Sequence, residues 1–315
     1  MGDAAAVLLT GGLVAFPTET VYGLGADAAN AEAVARIYSV KGRPADHPLI
    51  VHVATMDGLG AWAREVPEYA ISLARDFWPG PMTLVLRRSE LAGDYVTGGQ
   101  DTVGVRVPAD PVALGLLEAF ARAGGKGVAA PSANRFGNVS PTSAQAVAAE
   151  LGDYLADGDQ IIDGGACAVG VESTIIDCTA DAPKILRPGA ITAEMIEAST
   201  GLNVVDVDRT VESDAIRVSG SLDSHYAPAA TVVLDQSPVV GQGFIGMADV
   251  VTEDGVVRLA APQTHEEFAQ VLYAALRAAD EQGLTTVVVQ QPVGDGIAIA
   301  IRDRLKRAAH GSANN

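Results

Sequence analysis

Short apolar runs of strand length alternate with amphipathic helical segments along most of this chain, and that alternation predicts an α/β fold. In the first part of the chain we predict strands at residues 13–16, 49–53, 82–87, 103–107, 127–130, 161–163, 174–178 and 185–186. We predict helices there from Ala31 (with Asn30 as the N-cap), at Glu68–Phe77, at Pro111–Arg122 and at 142–151. Some strands, such as the last two, follow each other without a helix between them. We therefore expect a twisted mixed sheet with helices packed on it, rather than a doubly wound parallel sheet.

The periodic pattern stops at residues 206–230, which are acidic and polar and contain the run Ser-His-Tyr-Ala-Pro at 224–228. A connection of this length without its own core is usually either disordered or functional. After it, predicted strands at 231–234, 243–247 and 286–290 alternate with helices at 264–282 and 297–309. We therefore divide the chain into a catalytic unit (1–205), a linker or lid (206–230) and a small Rossmann-like α/β domain (231–315).

Charge and cysteine content exclude several classes of protein. The 315 residues carry 39 acidic and 21 basic side chains, a formal net charge of −18, which disfavours extended nucleic-acid binding. Cys167 and Cys178 cannot build a disulfide framework, and neither CxxC nor HExxH occurs. Apolar runs also stop short of the roughly 20 residues that cross a bilayer. We read residues 4–16 as a helix end and a first strand rather than a signal peptide, and expect a cytoplasmic protein without a structural metal.

Two glycine patterns resemble nucleotide-binding motifs but are poor matches. Residues 23–28 fit GxGxxA, and Gly294 and Gly296 precede the last predicted helix. Neither lies in a first strand-to-helix turn with an acidic residue about 20 positions further on, as a dinucleotide site requires. GxxxxGK[ST] and GxSxG are also absent from the sequence. A Rossmann dinucleotide site, a P-loop and a serine hydrolase are therefore disfavoured.

Polar and basic residues instead concentrate in loops at the ends of predicted strands. These loops cover residues 16–25, 41–52, 129–142 and 170–174, and arginines 106 and 187 follow two further strands. Each feature alone has an ordinary explanation, such as a turn, a helix cap or a cation at a helix C-terminus. Lys41 and Arg43, two residues apart, can also converge on one anion. Each charge-assisted hydrogen bond contributes roughly 1.5–3 kcal/mol, so a polyphosphate needs several such residues.

Together and in this order, the loop sequences are a specific pattern. They are PTETVYGLG (17–25), Lys41-Gly-Arg43, HPLIVH (47–52), WPGPMT (78–83), DTVGVRVP (101–108), APSAN (130–134), GVEST (170–174) and LRPG (186–189). Over about residues 11–190 the chain resembles the YrdC domain of threonylcarbamoyl-AMP synthases. The run at 224–228 and the domain after it are similar to the longer Sua5 type. Two positions depart from the family pattern: His47 replaces an asparagine found in many relatives, and Ser219 replaces a proline of the linker.

The resemblance implies an enzyme that condenses L-threonine, bicarbonate or CO2 and ATP into threonylcarbamoyl-AMP and pyrophosphate, the first step of N6-threonylcarbamoyladenosine formation at position 37 of tRNAs. It implies Mg²⁺ entering with ATP and not held by protein side chains, and a downstream tRNA threonylcarbamoyl transfer machinery as partner, without stable direct nucleic-acid binding. Lys41 and Arg43 are the predicted catalytic contacts to phosphate. The predicted ATP contacts are Lys41, Arg43, His47, Thr102, Ser132, Asn134, Ser140, Arg187, His225 and Tyr226, the last two from the linker. The predicted contacts to threonine or its carbamate are Thr20, His52, Arg106, Ala130 and Ser173.

Two other functions are compatible with a YrdC-like fold. One is an RNA-binding or ribosome-maturation module, which would need a local cationic groove despite the net charge of −18. The other is a carbamoyl-phosphate-using maturation factor. The relatives of that factor are larger chains with zinc-binding cysteine pairs, whereas this sequence has two cysteines in total.

Overall fold

The structure, a computed structural model, describes residues 1–205, 216–220 and 225–313. Strands in the described part form two sheets, one of ten strands and one of four. The larger sheet consists of β1 (Val14–Phe16), β2 (Gly23–Asp27), β3 (Ile50–His52), β4 (Ala63–Arg64), β5 (Met82–Arg88), β6 (Thr102–Arg106), β7 (Val128–Ala129), β8 (Gln160–Ile161), β9 (Thr174–Asp177) and β10 (Lys184–Arg187). The smaller sheet consists of β11 (Thr231–Leu234), β12 (Gly243–Ile245), β13 (Val257–Ala260) and β14 (Thr286–Val289).

Helices cover both sheets. The helices of the first unit are α1 (Gly2–Leu9), α2 (Ala31–Lys41), α3 (Leu59–Trp62), α4 (Glu68–Phe77), α5 (Asp94–Thr97), α6 (Pro111–Arg122), α7 (Ala144–Leu151) and α8 (Ala193–Thr200), with 3-10 turns at Met56–Gly58 and Gly152–Tyr154. The second unit has α9 (His265–Glu281) and α10 (Ile297–Ser312). Among the described residues, no helix is both long and apolar enough to cross a membrane.

The larger sheet is mixed, in the order β10-β9-β5-β6-β3-β7-β2-β1-β8, with β4 paired to β5. Strand β3 runs parallel to β6, and β5 runs parallel to β9, whereas β5 and β6 are antiparallel. The loop after β6, the loop before β9 and the end of β10 therefore lie at one edge of the sheet. The smaller sheet is parallel throughout, in the order β11-β14-β12-β13.

The sequence predicted this architecture: the twisted mixed sheet with helices packed on it, and the small α/β domain that follows. The side chain of Asn30 caps α2 by accepting from two backbone amides, as predicted. Helices α4 and α6 have the predicted bounds. Strands β2 and β13 and helix α8 were not predicted, and the chain near residue 1 forms all of α1 rather than only a helix end.

The second unit packs directly against the first. One apolar core combines Val21, Val139 and Val171 of the first unit with Tyr226 and with side chains of α9, α10 and the smaller sheet. The proposed boundaries at 205/206 and 230/231 stay predictions, and residues 206–215 and 221–224 of the predicted linker lie outside the described residues. Strands of the larger sheet end at residue 187, and those of the smaller sheet begin at residue 231.

Candidate active site

The loops that the sequence singled out converge on one cavity at the edge of the larger sheet. His52 and Arg106 are partners in register at the ends of the parallel strands β3 and β6. Arg187 ends β10, and Ser173 immediately precedes β9. The cavity is lined by Thr18, Thr20, Val21, Gly23, Arg43, Ile50, His52, Arg106, Ala130, Pro131, Ser132, Glu172, Ser173, Arg187, Ser219, Gly220, His225 and Tyr226.

Ten predicted site residues line this cavity: Thr20, Arg43, His52, Arg106, Ala130, Ser132, Ser173, Arg187, His225 and Tyr226. Five do not: Lys41, His47, Thr102, Asn134 and Ser140. Thr102 lines a smaller neighbouring cavity, which shares Ile50 and Ser219 with the larger one. The structure thus brings most of the predicted residues together, while the role of each stays a prediction.

Lys41 is buried beneath the loop at 130–134. Its ammonium group donates to the backbone carbonyls of Ser132 and Asn134. Burial, followed by the positive charge of Arg43, lowers the pKa of Lys41 well below its ordinary value. Lys41 therefore holds the loop that presents Ser132 to the cavity.

The remaining residues outside the lining also support its loops. The amide group of Asn134 donates to the carbonyls of Arg135 and Asn138, at 2.6 and 2.9 Å. Ser140 donates to Glu172 at 2.7 Å. The ring of His47 packs edge-on against Phe136, and Phe136 in turn contacts the ring of His225.

Arg43 and Arg187 both contact the described part of the linker. Arg43 Nη2 donates to Ser219 Oγ at 3.2 Å and to the Pro48 carbonyl at 3.0 Å. Arg187 Nη1 donates to the Ser219 carbonyl at 2.8 Å, and its Nη2 donates to Ser173 Oγ at 3.1 Å. Burial is the main cause that lowers the pKa of Arg43, to about 10. Two buried cations therefore point at one short linker segment.

Arg106 is paired within its own loop cluster. Its Nη2 lies 2.8 Å from a carboxylate oxygen of Glu19, and its Nη1 donates to Thr20 Oγ1 at 2.9 Å. Thr20 Oγ1 also lies 2.8 Å from Thr18 Oγ1. Sequence reasoning gave Glu19 no role, although it lies inside the PTET run beside Thr20. Glu19 neutralises the positive charge of Arg106. A ligand beside Arg106 would therefore contact an ion pair without net charge and the hydroxyl groups of Thr18 and Thr20.

Several polar atoms at the cavity are buried without a hydrogen-bond partner among the described residues. They are Arg43 Nε, His52 Nδ1, His225 Nδ1 and the Tyr226 hydroxyl. Buried polar groups are rarely left unpaired, and each exception needs an explanation. Their concentration around one cavity indicates a site that binds a polar ligand.

The two histidines of the cavity are neutral at physiological pH. Burial, followed by the charge of Arg106, lowers the pKa of His52 to about 3. Burial also lowers the pKa of His225 to about 3. The positive charges of Lys41, Arg43 and Arg187 act in the same direction, and the negative charge of Glu172 acts against them. Neutral imidazoles can accept or donate a hydrogen bond but add no positive charge, so the cavity's cations are its arginines.

Together these features define an α/β protein with an arginine-lined site for a polar small molecule. A sequence profile of the Sua5, YciO and YrdC proteins, described as "Telomere recombination", matches residues 6–189. A second profile, described as the C-terminal domain of threonylcarbamoyl-AMP synthases, matches residues 191–310. The chain belongs to the Sua5/YrdC family and has the C-terminal domain of threonylcarbamoyl-AMP synthases.

Relatives match over almost the whole chain. A threonylcarbamoyl-AMP synthase of Pyrococcus abyssi is 41% identical, with 97% of this chain and 93% of the relative covered. A threonylcarbamoyl-AMP synthase of Bacillus subtilis is 40% identical, with 99% and 93% covered. The crystal structure of P. abyssi Sua5 complexed with L-threonine superposes with a TM-score of 0.88 at 40% identity, covering 99% of this chain and 94% of that one.

Proposed function

We propose that this chain is an L-threonylcarbamoyl-AMP synthase, which condenses L-threonine, bicarbonate or CO2 and ATP into threonylcarbamoyl-AMP and pyrophosphate. The observation that carries the proposal is one cavity in which Arg43, Arg106 and Arg187 meet the hydroxyls of Thr20 and Ser173. Synthases that match nearly the full chain, one of them solved with L-threonine, support the same conclusion. They support a synthase rather than an RNA-binding module.

The chemistry requires positioning and charge neutralisation more than covalent catalysis. The neutral amine of threonine attacks CO2 and loses a proton to water, which gives a carbamate. A carbamate oxygen then attacks the α-phosphorus of ATP. The bond from that phosphorus to the bridging oxygen breaks, and pyrophosphate leaves. Aligned substrates and fixed donors on the phosphate oxygens lower such barriers. We assign Arg43 and Arg187 to the phosphates because both are buried cations that face the same part of the cavity.

Threonine and its carbamate are assigned to Thr20, His52, Arg106, Ala130 and Ser173, which also line the cavity. Arg106 is already paired with Glu19 at 2.8 Å, so a substrate carboxylate has to share its guanidinium group. An arginine presents five N–H donors, which allows it to serve a carboxylate of the protein and one of the substrate together.

We propose that the linker acts as a lid over this cavity. Ser219, Gly220, His225 and Tyr226 all contribute to its lining. The carbamate loses CO2 readily and the product is a mixed anhydride that water destroys, so a closing element that excludes water is needed. Since Ser219 occupies donors of both Arg43 and Arg187, ATP phosphates bound there must displace it.

Mg²⁺ is proposed to enter as the complex with ATP. Among the described residues there is no cluster of three or more His, Cys, Asp and Glu side chains that could hold a metal ion. Glu172, which lines the cavity, is in an ion pair with Arg304, and Glu19 is in an ion pair with the cavity residue Arg106. Mg²⁺ commonly keeps several waters and binds substrate phosphates, so the metal's ligands in this proposal come from ATP and water, and the ion neutralises phosphate charge.

The test is pyrophosphate release by the purified full chain, with ATP, threonine and bicarbonate each omitted in turn. Release should require all three, and the product should carry both AMP and the threonylcarbamoyl group by mass spectrometry. Pyrophosphate release that does not depend on threonine and bicarbonate would show that the protein only cleaves ATP, and would overturn the proposal. A cytoplasmic location and delivery of the product to a tRNA threonylcarbamoyl transfer machinery are parts of the same proposal.

A further inference from the structure

A buried charged cluster joins the C-terminal domain to the loop that carries Ser173. Arg304 of α10 is fully buried, and its Nε donates to a carboxylate oxygen of Glu172 at 2.8 Å. The Tyr273 hydroxyl, from α9, donates to the same carboxylate oxygen at 2.9 Å. Ser140 donates to the other oxygen at 2.7 Å. Both oxygens of Glu172 are therefore held, and two of the three donors come from the second unit.

Glu172 is adjacent to a residue that the proposed reaction uses. Ser173 lines the cavity, and its Oγ lies 2.8 Å from Thr83 Oγ1. Because Glu172 and Ser173 are consecutive, a shift of the Glu172 carboxylate also moves the peptide that places Ser173. Arg304 Nη2 also donates to the backbone carbonyl of Glu172, at 3.4 Å.

Charge and packing both make this loop dependent on the second unit. Burial alone would raise the pKa of Glu172, but Arg304 and Arg187 outweigh it and lower that pKa to about 2. Gly170 opens the loop at φ +80°, and a Cβ there would lie 2.4 Å from the Cα of Gln270 in α9. The backbone of α9 therefore rests directly on the loop.

We propose that Arg304 is a positioning residue for the synthase reaction: through Glu172 it fixes the 170–174 loop, and with it Ser173, a proposed threonine contact. The C-terminal domain then contributes a group to the organisation of the active site, beyond anchoring the far end of the linker. This inference rests on the proposed function.

A second ion pair between the two units provides a matched control. Arg277 of α9 lies 3.0 Å from Glu150 of α7, and both side chains are mostly buried. Neither residue lines the cavity. Arg277→Met therefore removes a mostly buried interdomain arginine whose partners, Glu150 and the Val139 carbonyl, lie outside the 170–174 loop. A purely structural role for Arg304 predicts that the two arginine variants behave alike.

Glu172→Gln tests the route through Ser173 without changing Arg304. Arg304 also lies 5.5 Å from the centre of the Tyr226 ring, so Arg304→Met disturbs both the loop and the linker. Glu172→Gln leaves that contact in place and keeps the shape of the side chain. Arg304→Lys retains the charge but loses the planar fork, so it should restore part of the function.

The experiment measures KM for threonine and for ATP in pyrophosphate release, threonine binding by calorimetry, and Tm for the full-length wild type and each variant. Glu172→Gln and Arg304→Met should raise the KM and Kd for threonine by about 10- to 100-fold, the size of effect that a misplaced contact produces. The KM for ATP should change much less in Glu172→Gln. Arg304→Lys should lie between wild type and Arg304→Met, and Arg277→Met should lower Tm with little change in either KM.

The positioning role is overturned if Glu172→Gln and Arg304→Lys bind threonine as tightly as Arg277→Met does. Those two variants decide the matter even if Arg304→Met fails to fold, because each retains most of the cluster. The proposed function fails separately, if the wild type itself shows no release that depends on threonine and bicarbonate.

Discussion

Replacing Gly220 by alanine tests whether the linker closes the cavity. Gly220 has φ +79°, and a Cβ built there would lie 2.2 Å from the hydroxyl oxygen of Tyr226 and 3.3 Å from Arg187 Nη1. Both neighbours are buried, and all three residues line the cavity. Gly220→Ala should therefore push the segment at 216–220 away from Tyr226, without removing any side chain from the site.

The expected magnitude follows from two costs. An L-residue in the left-handed region costs roughly 1–2 kcal/mol relative to glycine. An added methyl group in a packed site costs typically about 1–3 kcal/mol. Their sum, about 2–5 kcal/mol, disfavours the closed arrangement by at least about 30-fold. We expect kcat/KM for ATP to fall by a comparable factor, because Gly220 has to return to its place beside Tyr226 to close the cavity over bound ATP before the labile carbamate reacts.

The assay is threonine-dependent pyrophosphate release, with Gly241→Ala as the control. Gly241 has φ +86° but no atom within 4 Å of its added Cβ, so it carries the backbone cost without the clash. Tyr226→Phe removes the clashing hydroxyl, and Gly220→Ala should cost much less activity in that background than in wild type. Equal activity of Gly220→Ala and Gly241→Ala, or the same loss in both backgrounds, would refute the closing role.

Four further predictions concern the cations, the histidines and the linker at the site. Arg43→Ala should lower kcat/KM for ATP by about 10- to 100-fold, because a charged hydrogen bond is lost, and should change Tm little. A variant with a lower Tm but wild-type activity would contradict its role at phosphate. Lys41→Met should lower both Tm and activity, because the ammonium group also holds two loop carbonyls; a variant with normal Tm would show that the loop does not need it. His52 and His225 have pKa values of about 3 in the folded protein, below the ordinary 6.5. Their contribution to the free energy of unfolding should be complete above pH 6.5 and decrease as the pH falls towards 3, with a loss of about 2 kcal/mol for each histidine at pH 5. Urea unfolding at several pH values should show a weaker pH dependence for His225→Asn than for the wild type. His225→Ala combined with Tyr226→Ala should abolish threonylcarbamoyl-AMP synthesis in a chain that still unfolds cooperatively, and full activity would make the linker a passive tether.

The sequence predicted those elements whose signals are local. Asn30 caps α2, proline opens α6, and the apolar spacing of α4 is that of a half-buried helix. Strand β2 was missed because its sequence, Gly-Leu-Gly-Ala-Asp, lacks the β-branched and aromatic residues that mark strands. Its glycines are required by close packing: a Cβ at Gly25 would lie 2.8 Å from both Phe16 and Val128. Tertiary contacts, rather than propensity, make that segment a strand.

The site could be predicted as far as its loops carry recognisable motifs. Arg43, Arg187 and Ser173 lie where the pattern indicated, in one cavity. The sequence could not indicate that Lys41 points at backbone carbonyls, since a helix C-terminus and a phosphate both attract a lysine. Nor could it link Glu172 to Arg304, 132 positions apart, because only the docking of α10 brings them together.

The contacts of Ser219 connect ATP binding to the movement of the linker. In this structure its hydroxyl and carbonyl oxygens occupy Arg43 and Arg187, the two cations assigned to the phosphates. A phosphate oxygen forms a stronger, charge-assisted bond to a guanidinium group than a neutral carbonyl does. ATP and the segment at 216–220 therefore compete for the same donors, and the negative charge of the phosphates favours binding of ATP. Ser219 is therefore expected to leave the two arginines as ATP enters, and the segment to close the cavity again over the bound nucleotide, so that water is excluded while the reactive carbamate is present.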